Sequence, residues 1–95
     1  DAPGVTVEGE CDLYAAPAFA RAVLDGIAAG WRAICLDCRG LTYLDSTGVG
    51  ALIRILQALA RAGGTMTCIG LRGAPRKVLE MSNILPLLRE EREGA

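Results

Sequence analysis

A polar joint, LDSTGVG from Leu44 to Gly50, separates two apolar segments of different period, and this contrast constrains the fold more than any other feature of the chain. Before the joint, Ala33 to Cys38 (AICLDC) is a short, nearly continuous apolar run, expected to form a strand covered on both faces. After it, Val49, Leu52, Ile53, Leu56, Leu59 and Ala60 fall on one arc of a helical wheel, with Arg54, Gln57 and Arg61 opposite. Ala51, Ile55, Ala58 and Ala62 form a strip between the two arcs. The helix should stop at Gly63-Gly64, a left-handed cap signal, and Thr65 to Gly70 (TMTCIG) reads as the next strand. A strand, a helix-length crossover and a second strand imply parallel pairing.

The flanks repeat this alternation. Val5 to Glu8 is a short strand candidate, ending in Gly9-Glu10-Cys11-Asp12. Phe19, Val23 and Ile27 give a helical stripe from about Ala16 to Ala29, with Gly30 as its stop. Pro75 suits the first turn of a helix carrying Val78, Leu79 and Met81. Leu85 to Leu88 is expected as a last short strand, and Arg89 to Ala95 as a charged, frayed tail. The expected fold class is α/β: a single mixed, mostly parallel sheet of about four strands, with interspersed helices packed against it. In such sheets functional loops lie beyond the carboxyl ends of the strands. Both LDSTGVG and Glu10-Cys11-Asp12 occupy that kind of position.

At 95 residues the chain is expected to be one domain. A formal net charge of −1 gives no electrostatic footprint for nucleic acid or an anionic membrane. Arg21, Asp25 and Arg54 interrupt the longest apolar runs, so no bilayer span is expected. The sequence starts at Asp1 rather than Met and opens with no signal-peptide pattern. Cys35 and Cys38 match C-x-x-C, which raises zinc or thiol redox chemistry. On a strand, however, such side chains point to opposite faces, and the chain has no second C-x-x-C and no histidine. Cys11, Cys35, Cys38 and Cys68 are therefore read as structural thiols, with no metal or cofactor expected, in a reducing, cytoplasmic setting.

The joint fails the enzyme patterns it approaches. A nucleophile elbow needs Gly two residues before the serine, where Leu44 stands, and without histidine the usual serine base is missing. Gly48-Val49-Gly50 lacks the remainder of a dinucleotide or phosphate loop. A helix cap by Ser46 or Asp45 would contribute about 1 kcal/mol. It leaves unexplained the two glycines, each costing roughly 0.5–1 kcal/mol inside a helix. Bare backbone invites close approach, by the sheet beneath or by a partner above.

Several blocks resemble the anti-sigma factor antagonists, bacterial members of the STAS domain family: GECD (Gly9–Asp12), LDSTGVGAL (Leu44–Leu52), the GG before TMTCIG, and RKVLEMS (Arg76–Ser82). The likeness runs in order over nearly the whole chain, and the D-S-T-G-x-G block is its most specific part. It departs at Cys11, where the family usually has Leu. The family also normally has a strand ahead of the one at Val5, and the sequence is expected to lack it in part. The resemblance implies a protein that is a substrate and ligand, not an enzyme. Its partners would be an anti-sigma factor with serine kinase activity, which it captures when unphosphorylated, and a phosphoserine phosphatase. It also makes Ser46 the phosphate acceptor, with Asp12, Asp45, Thr47 and Gly48 around it and Thr47 as a second candidate hydroxyl. Gly48, Gly50, Ala51, Arg54, Ile55 and Ala58 are then the candidate partner contacts, although the strip Ala51, Ile55 and Ala58 would equally serve packing against a neighbouring helix. Oligomeric state is left open. Two other readings stand beside this one: a STAS docking module of an anion transporter or lipid-transport complex, and a small nucleotide-binding protein using the glycine-bearing helix start.

Overall fold

Buried and open positions alternate along β3 and the first half of β2, the two central strands of this domain, and that alternation sets its architecture. The structure, a computed structural model, describes residues 4–11 and 15–91. In β2 (Ala33–Leu44), Ile34, Leu36 and Cys38 are buried, Cys35 and Asp37 half-buried, and Ala33 and Arg39 exposed. β3 (Thr65–Ile69) repeats the beat, burying Met66 and Cys68 between Thr65, Thr67 and Ile69. The run AICLDC is thus covered on one face only, against the expectation of two. Alanine and cysteine are small enough to suit either face, which hides the alternation in the sequence.

β1 (Gly4–Cys11) and β4 (Arg89–Glu91) complete a sheet of order β1-β2-β3-β4 with every pairing parallel. The helices are α1 (Ala16–Ala28), α2 (Ser46–Ala62) and α3 (Gly73–Met81). When strands advance in one direction, crossovers of one hand place all their helices on one side. Phe19 of α1, Leu52 of α2 and Leu79 of α3 accordingly share one interior with Leu36, Cys38 and Cys68. The other face carries Thr6, Cys35, Asp37 and Thr67 toward solvent, and the Arg39 guanidinium holds the Asp37 carboxyl down to about 2.

Val23 and Ile27 of α1 and Pro75 and Leu79 of α3 are buried, whereas Met81 is 73% exposed and takes no part in the core. The last strand lies at Arg89–Glu91, not at Leu85–Leu88 as the apolar pattern suggests. Pro86 has no N–H for a ladder, and the amides of Leu87 and Leu88 bond back to Ile84 and Leu85 in a 3-10 turn. Arg76 on α3 holds Glu90 through two hydrogen bonds of 3.1 Å, so part of the expected tail forms the sheet's edge. Its remainder, residues 92–95, lies outside the described residues.

α2 ends where the double glycine suggests. Gly63 takes a left-handed φ of 75° as C-cap, and the Gly64 amide reaches back 2.7 Å to the Leu59 carbonyl. Gly64 sits so close to the Arg32 carbonyl that a Cβ there would collide with fixed backbone. Gly64→Ala is therefore expected to lower stability by about 1–3 kcal/mol, measured by urea unfolding with an unchanged denaturant slope.

Candidate functional site

Asp45, not Ser46, caps α2. Its backbone is extended (φ −108°, ψ −174°), and its Oδ1 accepts hydrogen bonds from the amides of Thr47 at 2.9 Å and Gly48 at 3.0 Å. Its carbonyl accepts from the Val49 amide at 3.0 Å, closing the first turn. Two of the orphan amides at the positive end of the helix are thus already bound to a carboxylate. Ser46 follows as the first helical residue, exposed, and its hydroxyl bonds no described residue. Thr47 is half-buried. Of the two neighbouring hydroxyls, Ser46 is the more accessible.

The two glycines answer to different constraints. Gly48 is buried against the end of β1: a Cβ there would stand 2.5 Å from the Cys11 carbonyl oxygen, 2.5 Å from Leu44 Cδ1 and 3.1 Å from Cys11 Sγ. A side chain would lift the head of α2 off the sheet. At Gly50 the space is open, with nothing within 4 Å of a built Cβ. The domain's own packing therefore accounts for the first glycine and not for the second. Cys11 lies at the strand end that the sequence marks as functional, but its role as the floor beneath α2 is not legible there. Its carbonyl also receives the Asp45 amide at 3.4 Å, and the sequence signals this contact only through a glycine placed inside a helix.

The strip next to Ser46 divides as well. Ala51 is 3% exposed and Ile55 fully buried, so neither is available to a partner. α2 packs on α1 as well as on the sheet, and small buried side chains on both helices (Ala16 and Ala20 facing the same core as Ala51) permit close approach. That second contact rotates the buried arc of α2 away from Ile53, 39% exposed, and toward Ile55. Ala58 and Gly50 are half-buried and Arg54 is exposed. Of the proposed contact set, Gly50, Arg54 and Ala58 remain at least partly accessible, and with Ser46 they succeed one another a helical turn apart. Asp12 falls outside the described residues.

Cys35 and Cys38 point to opposite faces of β2 and cannot grip one ion together. Cys38 instead shares a hydrogen bond with Cys68 of the adjacent strand, and that bond together with burial pushes the Cys68 thiol up, keeping it protonated. Among the described residues no cluster of three or more metal-ligating side chains occurs, and no helix is long and apolar enough to cross a membrane.

The family model for the STAS domain matches residues 2–93. By sequence the chain is similar to the anti-sigma-B factor antagonist of Staphylococcus aureus, 26% identical over 84 residues, covering 88% of this chain and 78% of that protein. By fold it is similar to the Bacillus cell fate determinant SpoIIAA in its phosphorylated form, with TM-score 0.75 and 23% identity over 95% of this chain and 82% of that one. A sulfate transporter family protein from Wolinella succinogenes gives TM-score 0.80 and 16% identity over 97% and 78%.

Loss of the cap in Asp45→Ala is expected to cost about 0.5–2 kcal/mol. Gly48→Ala, which forces rigid neighbours apart, should cost about 1–3 kcal/mol. Both are read from denaturation midpoints, with circular dichroism reporting on the head of α2.

Proposed function

The chain belongs to the STAS domain family, and we propose that within it this protein is an anti-sigma factor antagonist controlled by phosphorylation of Ser46. Unphosphorylated, it binds an anti-sigma factor that is also a serine kinase, and a sigma factor is released. Ser46 Oγ then accepts the γ-phosphoryl group of the partner's ATP: the new O–P bond forms as ADP leaves, and the hydroxyl proton passes to a base on the partner. A phosphoserine phosphatase restores the hydroxyl. The protein acts as ligand and substrate, not catalyst.

The observation that carries this reading is the state of Ser46: exposed, at the first position of α2, and free of the capping bond that Asp45 makes in its place. A phosphoryl group brings roughly −1.5 to −2 charges. At an open helix start it would be stabilised by about 0.3–1 kcal/mol, but here the Thr47 and Gly48 amides already serve the Asp45 carboxylate. The phosphate would meet a like charge and point outward, leaving the fold as it is. Trapped in an interface without a counter-charge it costs on the order of 3–5 kcal/mol. The switch therefore works on docking.

The likeness in fold to a sulfate transporter family protein supports a second reading, a docking module with no phosphate cycle. The two readings diverge at Ser46, which such a module does not use.

In calorimetric titration with the anti-sigma factor recovered by co-purification, Ser46→Ala is expected to bind like wild type and Ser46→Asp at least about a hundredfold more weakly. Phosphopeptide mapping after incubation with that kinase and ATP should place the label on Ser46 and leave Thr47 bare. Equal affinity of the Ala and Asp variants would overturn the switch.

A further inference from the structure

Two turns along α2 from Ser46, α1 and α2 leave between them an open groove of about 380 Å³, lined by Pro17, Arg21, Leu24 and Asp25 of α1 and Arg54 of α2. Arg21 and Arg54 are exposed. The ion pairs among the described residues join Arg39 to Asp37 and Arg76 to Glu80 and Glu90, so neither groove arginine is neutralised by one of them. Asp25 lies in the groove without bonding either guanidinium, so among the described residues two cations face one anion there. Along α2 the path from the groove to the modified hydroxyl runs Arg54, Gly50, Ser46, one turn at a time on one helix face. Its middle position is the glycine for which the fold supplies no steric reason.

We infer that this groove receives an acidic side chain of the partner, seated between Arg21 and Arg54, with the partner's backbone crossing α2 at Gly50. The inference rests on the reading of the protein as an anti-sigma factor antagonist and names the chemistry its partner must present. Two guanidiniums flanking a cleft select a carboxylate, which both can bond. The missing side chain at Gly50 lets a main chain lie against the helix, where a Cβ would hold it off. Ser46 lies two turns from Arg54 on the same face of α2, so a phosphoryl group there adds negative charge along the path of an acidic segment. Repulsion then joins desolvation in expelling the partner.

Two variants test this against the same purified anti-sigma factor kinase. Gly50→Ala replaces a helix-interior glycine at a position with free space, so its melting temperature should rise by roughly 3–6 °C, while its affinity for the kinase should fall at least about fivefold. Arg21→Glu combined with Arg54→Glu should weaken binding about tenfold or more and flatten its salt dependence, without lowering the melting temperature. Ser46→Asp is the internal reference. If wild type binds, Ser46→Asp does not, and the glycine and arginine variants bind within twofold of wild type, the groove assignment falls and the functional reading stands. If wild type does not bind the kinase, both fall. A drop in melting temperature for Gly50→Ala would reveal an internal need for the glycine and overturn the assignment without any partner. ATP alone shifting the NMR signals of Arg21 and Arg54 would replace the acidic side chain with a nucleotide and overturn it as well.

Discussion

The contact between Gly48 and the carbonyl of Cys11 is the constraint on which the rest of this domain depends. It lets the first turn of α2 descend onto the end of β1, so that the same short stretch of chain can leave β2, turn and begin a helix over the sheet. The Asp45 carboxylate then closes the first turn by taking two amides. With cap and floor both fixed, the residue between them has no structural duty. Ser46 is held rigidly in place while its hydroxyl stays uncommitted, which is what a modification site on a well-ordered element requires.

Under the proposed switch, the division of labour among neighbouring residues would let a charge added at Ser46 alter recognition without altering the fold. The positive pole of α2 is already matched by Asp45. A second anion arrives after the favourable partners have been taken and is left to solvent or to an incoming surface. The energetic consequence would fall on the complex and spare the free domain.

Much of this was legible in the sequence, because the informative signals are local. The stripe of α2, its stop at Gly63-Gly64 and the parallel alternation of strands and helices follow from period and cap chemistry alone. What escaped depended on tertiary context. A helical wheel cannot say on which flank a second helix will pack, so the strip of Ala51 and Ile55 read equally as helix packing or partner contact, and only the α1 contact decides for packing. β4 consists of Arg89, Glu90 and Glu91, which carry no apolar beat; its place is set by Arg76 reaching Glu90 from another element. The glycine pair looked uniform and is not, since one position answers to Cys11 far away in sequence and the other to nothing within the domain.

A parallel sheet clad on a single side also has an evolutionary signature. Along β3 and the first half of β2, from Ala33 to Cys38, every second residue meets packed carbon and its neighbours meet water or its edge. Mutational tolerance should therefore tick back and forth along those strands, with Ile34, Leu36, Met66 and Cys68 held and Ala33, Thr65 and Thr67 free to drift. The bare side is a blank page for lineage-specific change, written on without disturbing the packing at the head of α2.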